Sequence, residues 1–267
     1  MNVHLSSHTL RQYKRVRRLL ETLDPAGEPW AVVSPGSKEP RGDIIVFPGS
    51  FNPPTTAHLA MLKQARKVAS RQGGRWRVYV AISKQIVDKE TVERMTLLDR
   101  VVLLERVLKK HVKHAGILLL NRGLYVEQAR GIHAAFPEVR RLSFLVGFDK
   151  IVQIFDPHYY ADREAALREL FALAHLLVAP RGSDGERELR ELLARPENRP
   201  YARYVQPLPL AEEYRAISST RVRQGADSRL REVPEEARDF ILRTRPYSNP
   251  ELDLYGEWVR ALQELLD

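Results

Sequence analysis

Between residues 43 and 210, short and wholly apolar runs alternate with longer stretches of helical periodicity, and that alternation leaves few folds open. Asp43 to Phe47 (DIIVF), Arg77 to Ile82 (RVYVAI), Ile117 to Leu120, Leu142 to Val146, Leu176 to Ala179 and Val205 to Leu208 read as strands. The run from Asp43 to Phe47 is apolar without a polar alternate once past Asp43, the pattern of a strand covered on both faces. Thr56 to Arg71 and Thr91 to His111 carry helical spacing, and the Gly73-Gly74 pair stops the first of them. Strand and helix in turn predict an α/β fold: a doubly wound parallel sheet, right-handed crossovers and helices on both faces. Ligands of such sheets collect at the carboxyl ends of the strands.

The flanks differ. Residues 5–23 space Leu5, Tyr13, Val16, Leu19, Leu20 and Leu23 at near-helical intervals with basic residues between them. Asp24 to Gly42, rich in Pro and Gly, reads as a linker or wrapping loop. Pro250 to Asp267 spaces Leu252, Leu254, Trp258, Leu262 and Leu265 as an amphipathic helix for docking or self-association. The predicted organisation is therefore a helix and linker over 1–42, one domain over 43–248 and a C-terminal helix over 249–267.

Composition removes several function classes. The 267 residues contain no cysteine, so disulfides, thiolate metal sites and cysteine nucleophiles are excluded. No apolar run approaches the ~20 residues of a membrane helix. MNVHLSSHTLRQYKR has no apolar signal core, and the expectation is a cytoplasmic chain. A net charge of +9, from 43 basic and 34 acidic residues, suits anionic partners, whether nucleotides, phosphorylated metabolites or nucleic acid. A compositional bias of the source organism produces the same excess.

Two segments carry chemistry. Pro48 to His58 (PGSFNPPTTAH) leaves the first strand of the alternating region and opens a helix. Gly49 lets the backbone pass close to a ligand, and helix-start amides with their dipole attract an anion. Thr55 and His58, three residues apart, fall on one side of the first turn. It is neither the P-loop pattern nor GxGxxG. By spacing alone, a histidine there is more often a helix cap than a catalyst. The second segment, Ile217 to Arg223 (ISSTRVR), sets three hydroxyl residues before a short helix and adds Arg221 and Arg223, whose forked donors match phosphate oxygens. By itself it is an ordinary capping sequence.

Together the two segments resemble a known family. GSFNPPTTAH is similar to the GSFNP-x-TxxH signature of nicotinamide and nicotinate mononucleotide adenylyltransferases, in the HxGH/TxxH nucleotidyltransferase superfamily, and ISSTRVR resembles their ISSTxIR motif. Gly147-Phe148-Asp149 is similar to the family's GxD element, and Leu230 to Tyr247 follows its closing pattern of Val-Pro, helix and Tyr. The resemblance spans roughly 43–248 and implies a Rossmann-like sheet. It implies that Gly49, Ser50 and Phe51 lie along the nucleotide, that Thr55 and His58 contact the ATP phosphates, and that Ser219, Thr220 and Arg223 hold the triphosphate tail. Asp149 would bind a ribose hydroxyl or a polar group near the dinucleotide. Tyr160, where members commonly carry tryptophan, would wall the pyridine ring. Lys84 and Lys89 stand where members place phosphate-contacting basic residues. The implied reaction joins ATP, with Mg²⁺ carried mainly on its phosphates, to nicotinamide or nicotinate mononucleotide, giving NAD or its deamido form and pyrophosphate. Three alternatives stay open: a relative that uses CTP, a relative with another phosphorylated acceptor, and a non-catalytic protein that binds nucleotide or nucleic acid. The paired phosphate motifs argue against the last. No membrane partner is expected, and a homo-oligomer is compatible with the C-terminal helix.

Overall fold

The structure, a computed structural model, describes residues 5–71, 73, 76–85, 95–182, 185–247 and 253–267. The chain opens with α1 (Ser7–Glu21) and a short strand β1 (Ala31–Val33). It continues through β2 (Gly42–Pro48), α2 (Thr56–Arg71), β3 (Arg77–Ser83), α3 (Leu97–His111), β4 (Gly116–Leu120), α4 (Tyr125–Ala135) and β5 (Val139–Gly147). Then come α5 (Phe148–Phe155), α6 (Arg163–Leu173), β6 (His175–Ala179), α7 (Glu186–Ala194) and β7 (Val205–Pro207). Four helices complete it: α8 (Glu212–Arg215), α9 (Ser219–Gln224), α10 (Glu235–Thr244) and α11 (Leu254–Leu266).

Seven strands form one sheet in the order β1-β4-β3-β2-β5-β6-β7. All neighbours are parallel except β1, which runs antiparallel to β4 with Ala31 opposite Leu120. This is the expected doubly wound, Rossmann-like α/β fold, with one difference. The stretch read as a linker contributes an antiparallel edge strand, too short for any periodicity to show. Six predicted strands appear within a few residues of their expected bounds. The helix expected from Thr91 is seen from Leu97, and residues 91–94 lie outside the described residues. Gly73 takes the left-handed backbone (φ 78) just past α2, as a helix-ending glycine does.

Alternation along each strand divides the core. Ile45 and Phe47 of β2 face a layer built with Leu59 and Leu62 of α2, Val101 and Leu104 of α3, and Trp258 of α11. Ile44 and Val46 face the opposite layer, with Ile132 of α4, Ile151 and Phe155 of α5 and Leu167 of α6.

One buried carboxylate ties both chain ends to this core. Asp99, in the first turn of α3, is 0% exposed. It accepts from the hydroxyls of Tyr13 on α1 (2.7 Å) and Tyr255 on α11 (2.5 Å), from Thr96 (3.0 Å) and from the Trp258 indole (3.3 Å). Burial of both phenols beside the Asp99 charge pushes their pKa values up, so they stay protonated donors. Removing the acceptor strands these donors in an apolar layer. Asp99→Ala is therefore expected to cost at least about 3 kcal/mol, and Tyr255→Phe about 1.5–3 kcal/mol. Urea unfolding followed by circular dichroism measures both, and a loss under ~1 kcal/mol for Asp99→Ala contradicts the clamp.

Candidate active site

In this strand order the crossover direction reverses between β2 and β5. The helix after β2 packs on one face of the sheet and the helix after β5 on the other. The loops leaving these strands diverge, and the crevice between them is where open α/β sheets place ligands. Pro48 to Thr55 leaves β2 here, and Gly147-Phe148-Asp149 leaves β5.

The β2 loop is packed rather than free. The Gly49 amide donates to Ala81 O (3.0 Å), continuing the pairing with β3. Phe51 adopts the left-handed region (φ 46), uncommon for a bulky side chain. Its buried ring meets Phe47 edge-on (centroids 5.4 Å) and His58 edge-on (5.0 Å). A Cβ on Gly49 would lie 3.1 Å from this ring. The loop's own packing thus favours glycine here, since a side chain would need the Phe51 ring to shift.

Thr55 and His58 form a reciprocal helix cap. The Thr55 hydroxyl accepts the His58 amide (3.3 Å), while the His58 ring Nδ1 accepts the Thr55 amide (2.9 Å). This is a capping box with histidine in the position usually held by Glu or Gln. A backbone N–H only donates, so Nδ1 must be unprotonated and Nε2 carries the ring proton. Burial, and secondarily the charge of Arg181, lowers the His58 pKa to about 4. Near neutrality His58 is therefore a neutral Nε2–H donor. The amides of Thr56 and Ala57 have no acceptor within the helix and point the same way as its axis.

The second segment folds onto this loop. Ser218 caps α9, its hydroxyl accepting the Arg221 amide (3.2 Å). Ser219 Oγ donates to Pro53 O (2.7 Å), and Arg223 Nη1 donates to Asn52 O (2.9 Å). Thr220, exposed, accepts from Arg223 Nη2 at 3.4 Å. Tyr247, the residue ending the closing pattern, donates to the side chain of buried Asn52 (2.7 Å). Behind the loop, buried Arg100 donates from Nη1 to Ser50 O (3.1 Å), and its Nε is buried without a hydrogen-bond partner.

The remaining predicted residues divide. Asp149, at the start of α5, pairs with Arg181 at 3.0 Å, and Arg181 in turn is near enough to His58 to affect its titration. Tyr160 is half-buried and donates its hydroxyl to Ile154 O (2.9 Å), which fixes its ring. Lys84 is not gathered with the others. Its ammonium donates to Leu20 O (2.9 Å) and Leu23 O (2.7 Å), the carbonyls ending α1, where a helix dipole favours a cation. Lys89 lies outside the described residues. Beyond the ends of β6 and β7 an apolar groove of about 570 Å³ opens, lined by Phe148, Val178, Pro180, Leu208, Leu210 and Tyr214 among others.

The profile of the cytidylyltransferase-like family matches residues 46–225, two thirds of the sequence and every element just described from β2 to α9. The chain belongs to the cytidylyltransferase-like family. A Schizosaccharomyces pombe protein named "Putative nicotinamide mononucleotide adenylyltransferase" is 28% identical over 147 residues, covering 53% of this chain and 55% of that protein. The chain thus spans about half the length of the curated relative it matches.

Within this cytidylyltransferase-like site, sequence reasoning missed Arg181 and Arg100. Arg181 follows a strand's carboxyl end directly (VAPRG), a position that in a parallel sheet faces the ligand edge. Asp99-Arg100 is a charged pair inside the apolar stretch LLDRVVLL, and a charge so placed signals a buried partner.

Two outcomes are expected. His58 should keep its Nε2–H neutral form down to about pH 5 and titrate only near pH 4. The unfolded chain binds this proton first, around pH ~6.5. The stability linked to His58 is accordingly complete above that value and lost as pH falls through the window toward about 4. Nitrogen-15 correlation spectra of the ring check this, and a midpoint near 6.5 contradicts the cap. Gly49→Ala should force the Phe51 ring against His58, cost about 1–3 kcal/mol in thermal unfolding and weaken nucleotide binding.

Proposed function

We propose that this chain is an adenylyltransferase that joins ATP to a pyridine mononucleotide. The observation that supports the reading above all is the Thr55–His58 cap, which holds a neutral N–H donor beside Arg181 and within a loop clasped by Arg223. Neutral donors and fixed cations converging at a helix start suit a reaction whose difficulty is negative charge.

In that reaction an oxygen of the mononucleotide phosphate attacks the α-phosphorus of ATP in line. The new P–O–P bond forms as the bond to the β-phosphate oxygen breaks, and pyrophosphate leaves with the electron pair. The attacking phosphate is already ionised near neutral pH, so no general base is required. Positioning and electrostatic stabilisation supply the rate. His58 Nε2–H and the amides of Thr56 and Ala57 would hold the α-phosphate oxygens. Arg223, with Ser219 and Thr220, would steady the β- and γ-phosphates, and the Ser219 and Arg223 bonds to the loop keep the two halves in register. Arg181 would sit over the same phosphates, oriented by Asp149. The backbone of Gly49, Ser50 and Phe51 would run along the nucleotide.

Mg²⁺ belongs to this scheme as part of the ATP substrate. Among the described residues no three His, Asp or Glu side chains gather into a metal site, and the donors at the crevice are cations and N–H groups suited to phosphate. When bound, Mg²⁺ would offset charge on the leaving pyrophosphate. The acceptor half rests on two supports: the name carried by the yeast relative, and the held ring of Tyr160 beyond Asp149.

The test is pyrophosphate release from ATP with Mg²⁺, run with nicotinamide mononucleotide, nicotinate mononucleotide or no acceptor, and repeated with CTP. Release should require ATP and one pyridine mononucleotide. His58→Ala should fall by ~10²–10³ with the fold intact. Release with CTP in place of ATP, or near-normal turnover by His58→Ala, overturns the proposal.

A further inference from the structure

Three elements meet at the amino end of β4, on the sheet edge opposite the carboxyl ends of β2 and β5: the first half of α1, the loop after β1, and the C-terminal half of α3. Between them lies a groove of about 820 Å³. Six permanent cations line it: Arg11 and Arg15 from α1, Lys38 from the loop, Arg106 and Lys109 from α3, and Lys113 just beyond. One carboxylate, Glu105, shares the groove. Its two oxygens accept from Gln12 and Ser34, and the charges of Arg15 and Arg106 act on it, so one carboxylate stands against six cations.

Several arginines outside the groove are matched to carboxylates: Arg122 with Glu127, Arg130 with Glu169, Arg141 with Asp43. In the groove Arg106 donates to Thr9 Oγ1 (3.2 Å). The side chains of Arg11, Arg15, Lys38, Lys109 and Lys113 have no hydrogen bond or ion pair to any described residue. Like charges held around one recess raise its potential and draw anions into it. Its volume is that of a small-ligand site, typically ~300–1,000 Å³. Among the described residues that line it there is no Phe, Tyr or Trp, so it offers bases no stacking platform. Its cations come from facing walls rather than along a track.

We propose that this groove binds a compact, multiply phosphorylated anion of about the size of tripolyphosphate, recognised through its phosphates, at a site separate from the crevice at the head of α2. The proposal is independent of the reaction assigned to that crevice.

Calorimetric titration with inorganic tripolyphosphate tests it, using the full chain and a His58→Ala/Arg223→Ala variant that weakens the other phosphate site. Both should bind one anion at the groove, with affinity falling as salt is raised from about 0.05 to about 0.5 M. Arg15→Glu/Lys109→Glu, two exposed charge reversals, should weaken that binding roughly tenfold or more. Arg11→Gln/Lys113→Gln is the substitute if the first pair fails to fold, which circular dichroism reports. Unchanged affinity in the folded groove variant, or loss of all binding in His58→Ala/Arg223→Ala, overturns the proposal. So does a short oligothymidylate that binds more tightly than tripolyphosphate and is lost with the same groove substitutions, which would assign the groove to nucleic acid.

Discussion

A backbone amide can only donate, and the Thr55 amide donates to Nδ1 of His58. The chemistry available at the head of α2 follows from that bond. It fixes the tautomer, directs the proton to Nε2 and anchors the ring to the helix whose dipole favours an anion. A glutamate at the same capping position would satisfy the same amide but add a negative charge there. Histidine caps with one nitrogen and keeps the other as a neutral N–H. Burial beside Phe47 and Phe51 and the charge of Arg181 keep it neutral, so the donor costs no desolvation of an imidazolium.

Behind this cap the site is held by groups far away in sequence. Arg100 reaches Ser50 from α3, and its neighbour Asp99 collects hydroxyls and an indole from α1 and α11. Adjacent residues on one helix thus connect the phosphate loop to both chain ends. The segments outside the alternating core act as a brace for α3, and α3 carries Arg100, which holds the loop at Ser50 O. Across the loop from it, Ser219 and Arg223 hold the carbonyls of Pro53 and Asn52.

Much of this was legible in the sequence, and the physical reasons are specific. β2, β3, β4 and β6 are buried along almost their whole length, and few other structures produce such apolar runs. β1 was hidden because three residues in a Pro- and Gly-rich stretch carry no period, and an antiparallel edge strand owes its existence to its partner. The two phosphate segments were visible as residue types, and Ser219 and Arg223 do meet the β2 loop. Of the two readings spacing left at His58, cap or catalyst, the structure shows the cap: Nδ1 takes the Thr55 amide and the Thr55 hydroxyl takes the His58 amide. Lys84 could not be placed in advance, since its partners are carbonyls ending a helix some sixty residues earlier. Arg181 depended on which edge of the sheet its loop leaves.

The net charge of +9 shows why composition alone could not name a partner. Cations matched to carboxylates, such as Arg130 and Arg141, add nothing to the field at a distance beyond their pairs. The excess appears where counter-charges are missing or already engaged. One such place is the crevice at the carboxyl ends of the strands, where Arg223 and Arg100 spend donors on backbone carbonyls and keep their full charge. Another is the groove at the amino end of β4, where one carboxylate, Glu105, faces six cations. Two positive regions on opposite edges of one sheet cannot serve a single bound phosphate chain. The distribution of unpaired charge, rather than its total, is what distinguishes one part of this surface from another.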